Sequence, residues 1–101
     1  QLDGASSTIN ILPEIVDKVG KLVEVHLDGG IRSGQDVIKA MCLGAKGTYI
    51  GRAFLYGLGA LGKEGVTKAL NIIKTEADMT MALCGRKNVH DLNKENIYTP
   101  K

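Results

Sequence analysis

The sequence contains little cysteine, little excess charge of either sign and no long hydrophobic run. Its two cysteines, Cys42 and Cys84, form neither a Cys-x-x-Cys motif nor a Cys/His cluster with the spacing of zinc ligands. We therefore expect two buried free thiols in a reducing compartment and no metal site. The 13 basic side chains exceed the 11 acidic ones by two, a balance that predicts no nucleic-acid partner. No apolar run approaches the roughly 20 residues of a membrane span.

The chain also has no initiator methionine, and its first four residues lack the basic and apolar regions of a secretory signal. Hydrophobic residues make up 44% and charged residues 24% of the 101 residues, a balance typical of globular proteins. We expect a single segment, 1–101, that begins within a longer polypeptide and ends in a polar tail, 86–101. The predicted compartment is the cytoplasm, with an organellar or peripheral membrane parent as the alternative.

The spacing of apolar residues predicts that helices and strands alternate along the chain. The predicted elements are a helix over 7–20, a strand over 22–27, a helix over 33–44, a strand over 48–50, helices over 53–61 and 63–81, and one turn near 89–93. Such an order is typical of a parallel α/β sheet or barrel. Because two parallel strands can neither close a barrel nor cover both faces of a sheet, the chain is predicted to be part of a larger α/β fold.

Each predicted strand runs into a glycine turn that is followed by an arginine and a helix. Glycines permit positive φ and a close approach to a ligand, their N–H groups can donate to anionic oxygens, and arginine adds a charged fork of donors. The helix that opens at Ser33 is expected to add its positive end. Neighbouring parallel strands end at the same edge, so both turns can converge on one phosphate. For the first turn taken alone, a tight strand-to-helix connection with a surface arginine is the alternative. The turns are Asp28-Gly29-Gly30-Ile31-Arg32 and Gly51-Arg52.

The stretch LDGGIRSGQDVIKA, residues 27–40, resembles the phosphate-binding segment of FMN-dependent barrels. Its flanks are similar to the FMN-dependent α-hydroxyacid oxidase and dehydrogenase family: QLDGA at 1–5, LPEI at 12–15, GR at 51–52 and MTMALCG at 79–85. This resemblance covers nearly the whole chain. It implies the C-terminal portion of a (β/α)8 TIM barrel, with its last two strands and their helices.

The resemblance also implies a cofactor, a reaction and site residues. The parent would use FMN to oxidise a small L-2-hydroxy acid to the 2-oxo acid, and it would form a homo-oligomer or associate with the rest of the barrel. The family's catalytic histidine and arginine lie in a His-Gly-x-Arg motif that precedes the sequence matched by residues 1–4, so no catalytic residue is expected here. The residues implied to hold the FMN phosphate are Asp28, Gly29, Gly30 and Arg32 after strand seven, and Gly51 and Arg52 after strand eight.

Two alternatives to this function remain at the level of the sequence. One is another phosphate-binding barrel, of the type 2 isopentenyl diphosphate isomerase or inosine monophosphate dehydrogenase type. The other is a non-catalytic phosphate-binding fragment.

Other residues of types that often act in catalysis or binding are predicted to be structural. His26 is interpreted as a strand histidine whose ring is hydrogen-bonded, and His90 as a surface residue. The charges of the last long helix are interpreted as its solvated face; they are Lys63, Lys68, Lys74, Glu64 and Glu76.

Overall fold

The computed structural model describes residues 2–100, and its element order confirms the predicted alternation of helices and strands. Gln1, the first residue of the QLDGA motif, lies outside the described residues. The elements are α1 (Thr8–Val19), β1 (His26–Asp28), α2 (Gly34–Cys42), β2 (Gly47–Tyr49) and α3 (Arg52–Leu83), followed by 3-10 turns at Val89–Asp91 and Lys94–Asn96.

The two strands are parallel neighbours, as predicted, and Asp28 lies opposite Tyr49 at their carboxyl ends. The predicted first strand is wrong over residues 22–25. There the chain leaves α1 through a turn, in which Leu22 and Val23 both donate to the carbonyl of Val19. Strand pairing requires a partner, and β2 offers three residues, which pair with His26–Asp28.

The main core lies between one face of the strands and helices α1 and α2. Leu27, which points to this face, is buried, whereas its neighbours His26 and Asp28 are exposed on the other face. This alternation follows from the two-residue period of a strand. The helices therefore cover one face of the sheet and leave uncovered the face that carries His26 and Asp28. The buried members of this core are Leu12, Leu27, Ile31, Ala40 and Ala45.

Helix α3 is interrupted where the sequence predicts a boundary between two helices. Leu61 and Gly62 depart from helical geometry, and Gly62 has a φ of +61°. The backbones on the two sides of this break touch at Gly57 and Gly65, because a Cβ placed on either glycine would overlap the backbone of the other. The first part of α3 is thereby folded back onto the second.

A second core joins α2 to the end of α3 and to the C-terminal tail. Its buried residues are Ile38, Cys42, Met81 and Leu92. The polar tail thus contributes one buried side chain, Leu92, and it forms two 3-10 turns where one was predicted. Within residues 2–100, no helix is both long enough and apolar enough to cross a membrane.

Candidate phosphate-binding site at the strand ends

An open cavity of about 260 Å³ lies at the carboxyl ends of β1 and β2. All six residues that the sequence predicts for a phosphate site line this cavity. Two further residues, Ile31 and Tyr49, complete its wall. The lining residues are Asp28, Gly29, Gly30, Ile31, Arg32, Tyr49, Gly51 and Arg52.

The first turn places free backbone donors beside the cavity. Gly29 and Gly30 have φ values of +106° and +79°, a conformation that side-chain-bearing residues rarely adopt. A Cβ on Gly30 would meet no atom within 4 Å, so the backbone faces open space there. Within residues 2–100, no side chain and no turn carbonyl accepts from the N–H groups of Gly30 or Ile31. Successive free N–H groups of this kind form an anion-binding nest.

The two arginines, Arg32 and Arg52, are exposed at the cavity. Among the described residues, neither guanidinium has a carboxylate oxygen within 4.0 Å. Asp28 lies in the same wall but forms no ion pair with them. Both positive charges are therefore available to an anion that enters the cavity.

Helix α3 adds further donors, because it begins directly at the cavity. Its N-cap is Gly51, which has no side chain to cap the helix, and Leu55 N–H is the first to reach back, to the carbonyl of Gly51 at 3.2 Å. The N–H groups of the first turn have no acceptor within their own helix. In residues 2–100 no side chain accepts from these groups either. Together with the helix dipole they favour an anion at this position.

The expected contribution of α2 is different, because the N–H groups at its start are already bonded inside the protein. Asp36 Oδ2 accepts from the N–H groups of Arg32 and Ser33, at 3.0 and 3.1 Å, and Ser33 Oγ accepts from Asp36 N–H at 3.2 Å. This reciprocal arrangement is a capping box. Glu76 Oε1 accepts from Gly34 N–H at 3.2 Å. The prediction that the positive end of this helix adds to the anion site is therefore wrong, because two carboxylates occupy it.

The prediction of a solvated face on the last long helix is wrong for one of its five residues, Glu76. Lys63, Glu64, Lys68 and Lys74 are exposed, but Glu76 is half-buried and bonded to Gly34. The apolar period of α3 cannot reveal this contact, because Gly34 lies on another helix.

Tyr49 is the cavity residue that sequence reasoning missed. Its hydroxyl lies 3.2 Å from Nδ1 of His26, and the two ring centroids are 5.8 Å apart. His26 Nε2 lies 3.4 Å from Glu24 Oε2. The prediction of a hydrogen-bonded strand histidine is confirmed, although the ring is exposed. The only signal for Tyr49 was its position immediately before the second glycine turn.

The two cysteines are free, as predicted; the predicted burial is confirmed for Cys42 but is wrong for Cys84, which is half-buried. Burial raises the pKa of the Cys42 thiol; nearby Cys84 raises this pKa further, and Arg86 partly opposes both effects.

His90 is exposed, and its backbone N–H donates to Asn88 Oδ1. Among residues 2–100 no group of three or more His, Cys, Asp or Glu side chains could hold a metal ion.

Comparison with known proteins identifies the chain's family. The sequence model for FMN-dependent dehydrogenases matches residues 1–99. The chain belongs to the FMN-dependent dehydrogenase family. Human 2-hydroxyacid oxidase 1 is 50% identical to this family member over 94 residues, which cover 93% of this chain and 25% of that protein. Pre-mycofactocin synthase of Mycolicibacterium smegmatis is 48% identical over 100 residues, which cover 99% of this chain and 25% of that protein.

Solved structures agree with this assignment. An oxidised active mutant of (S)-mandelate dehydrogenase matches this FMN-dependent dehydrogenase chain with a TM-score of 0.90 and 40% sequence identity, over 95% of this chain and 27% of that chain. The chain thus spans about a quarter of the length of the relatives it matches.

Proposed function

We propose that this chain forms the FMN phosphate-binding part of an FMN-dependent oxidoreductase that oxidises a small L-2-hydroxy acid to the 2-oxo acid. The observation that carries the proposal is the cavity at the strand ends. It combines two arginines that have no carboxylate partner among residues 2–100, a nest of backbone N–H groups and the start of α3, which no side chain caps. Two comparisons support this function. The family is FMN-dependent, and a relative of 50% identity is named a 2-hydroxyacid oxidase.

The chemistry of the lining residues fits a ribityl phosphate. Arg32 and Arg52 would hold the phosphate through charge-assisted hydrogen bonds, and the N–H groups of Gly29 and Gly30 would donate to its remaining oxygens. Asp28 accepts hydrogen bonds but repels a phosphate, so we assign it to a hydroxyl of the ribityl chain. Gly30 and Gly51 leave space in which a Cβ would meet nothing within 4 Å.

When bound, FMN supplies the two-electron chemistry by accepting a hydride equivalent from the substrate. The role of this chain's residues is to hold and orient the cofactor. The base that takes the substrate proton and the arginine that binds the substrate carboxylate are expected from the sequence resemblance to precede Gln1.

Titration of the full-length protein that contains this segment tests the site. Removing one charge-assisted contact loses about 1.5–3 kcal/mol, so Arg32→Ala and Arg52→Ala should each weaken FMN binding by roughly 10- to 150-fold. Lysine should replace either arginine poorly, because it lacks the planar fork. Lys87→Ala, which removes an exposed positive charge outside the cavity, is the matched control.

Wild-type FMN affinity in both arginine variants would refute the phosphate assignment. The reaction is tested separately, by adding L-lactate or glycolate to the oxidised protein without oxygen. Bleaching of the flavin absorbance supports oxidation of 2-hydroxy acids. Flavin that stays oxidised with both acids would contradict oxidation of 2-hydroxy acids. It would favour a barrel of the type 2 isopentenyl diphosphate isomerase or inosine monophosphate dehydrogenase type.

A second candidate function rests on one of the relatives. Pre-mycofactocin synthase, at 48% identity, is almost as similar to the chain as human 2-hydroxyacid oxidase 1 and is named for a synthase reaction. The phosphate site would serve the same role in such an enzyme. A protein that binds FMN tightly but is not reduced by any small 2-hydroxy acid would favour this function.

We also propose that the chain is the last quarter of a (β/α)8 barrel and associates with the rest of that barrel. The uncovered face of the sheet supports this, since Tyr49 is 57% exposed, and so do the exposed apolar side chains of α3, such as Leu55 and Leu61. Surfaces of this kind mark a contact with another part of a protein. The natural polypeptide should have a denatured mass several-fold above 10.8 kDa, and a mass near that value would contradict the proposal unless a second chain co-purifies.

A further inference from the structure

The carboxylate of Glu76, a residue of α3, contacts the start of another helix, α2. Its Oε1 accepts from Gly34 N–H at 3.2 Å, and the residue is half-buried. No basic side chain pairs with it within residues 2–100. Its backbone carbonyl accepts from Thr80 Oγ1 at 2.8 Å. The carboxylate is thus bonded to the backbone of another helix.

The packing around Gly34 leaves no room for a side chain on this residue. A Cβ on this residue would lie 2.6 Å from the carbonyl carbon of Glu76 and would also overlap the Ile73 oxygen and the Ala77 nitrogen. The backbone of α2 therefore touches that of α3 at the place where Glu76 accepts its hydrogen bond. Close packing and a hydrogen bond to a charged acceptor fix the first turn of α2 together.

This contact fixes the segment that supplies Arg32 against the second part of α3. Arg32 lies two residues before Gly34, and its N–H is held by Asp36 in the same first turn. Arg52 begins the first part of α3, whereas Glu76 lies in the second part, after the break at Leu61–Gly62. The hydrogen bond of Glu76 therefore holds the turn next to Arg32 directly, and Arg52 only through the contact between the two parts of α3 at Gly57 and Gly65.

We propose that Glu76 is a positioning residue for the phosphate site, which acts by fixing the first turn of α2 against the second part of α3 and thereby placing Arg32 at the cavity. The inference rests on the proposed FMN-binding function. Glu76 does not line the cavity. Its effect on binding is consequently an effect on the phosphate of the ligand and not on its ring system.

The test compares two ligands, FMN and riboflavin, in the full-length protein that contains this segment. Riboflavin lacks the phosphate and reports on the rest of the flavin site. Glu76→Ala should weaken FMN binding about tenfold and change riboflavin binding less than twofold. Glu76→Gln keeps an oxygen that can accept from Gly34 N–H, so it should restore FMN affinity to within about threefold of the wild type.

Asp78→Ala is the control, because Asp78 is an exposed acid on the same helix with no hydrogen-bond partner among residues 2–100. It should leave both affinities unchanged. Equal losses for FMN and riboflavin in Glu76→Ala would show general damage to the fold and overturn the proposal. An unchanged FMN affinity in that variant would overturn it as well.

Failure of the underlying function gives a different result. If the wild-type protein binds riboflavin as tightly as FMN, there is no phosphate site, and both proposals fall. If Arg32→Ala loses affinity for FMN alone while Glu76→Ala does not, the phosphate site stands and only the positioning role is refuted.

Discussion

Replacing Gly34 with alanine probes the contact between α2 and α3 directly. Gly34 is buried at the first position of α2, where alanine would ordinarily be favoured over glycine by about 0.5–1 kcal/mol. Here the added methyl group would lie 2.6 Å from the carbonyl carbon of Glu76. Ordinary contact begins at 3.4 Å. Since the obstacle is backbone and not a flexible side chain, α3 would have to retreat by about 1 Å.

The magnitude follows from two losses and one gain. Overpacking of this kind costs about 1–3 kcal/mol. The retreat also breaks the 3.2 Å bond from Gly34 N–H to Glu76, which loses about 1.5–3 kcal/mol. After the helix-propensity gain is subtracted, we expect Gly34→Ala to lower the free energy of unfolding by about 2–3 kcal/mol, toward the smaller end because the two losses share one movement.

Chemical unfolding of the full-length protein measures this change, and Gly59→Ala is the matched control. Gly59 lies in α3, and a Cβ there would meet nothing within 4 Å. The same substitution at Gly59 should therefore raise the free energy of unfolding by about 0.5–1 kcal/mol. If Gly34→Ala is as stable as Gly59→Ala, the close backbone contact between α2 and α3 does not exist in solution.

Two other predictions concern the diglycine turn and the thiols. Gly30→Ala forces a side chain into a φ of +79°, so it should lower the free energy of unfolding by about 1–2 kcal/mol and weaken FMN binding about tenfold. Gly85→Ala, at a φ of +70° outside the cavity, should lower the free energy of unfolding similarly without changing FMN affinity. Equal FMN affinities in the two variants would contradict this role of the turn. Burial raises the pKa of Cys42, so at a given pH a smaller fraction of this thiol is thiolate. Peptide mapping after brief alkylation should therefore find Cys84 modified first. Faster labelling of Cys42 would contradict its burial.

Much of the site follows from local features of the sequence. Glycine pairs, arginines and helix starts act within a few residues of each other, so the turns at Gly29-Gly30 and Gly51-Arg52 could be predicted before any fold was known. The break in α3 follows likewise from Gly62, whose φ of +61° suits glycine alone. The helical and strand periods then order these turns along the chain and place both at strand ends.

Tertiary structure decided what depends on contacts between distant residues. The length of β1 was set by the three residues that β2 offers as partners, so residues 22–25 are not strand despite their apolar sequence. Tyr49 entered the cavity wall because the register puts it opposite Asp28. The start of α2 has a second carboxylate besides the local Asp36, and this one belongs to Glu76, a residue of another helix. A periodic pattern records which face of an element is apolar, whereas hydrogen-bond partners across elements are chosen by packing, and packing exists only once the chain has folded.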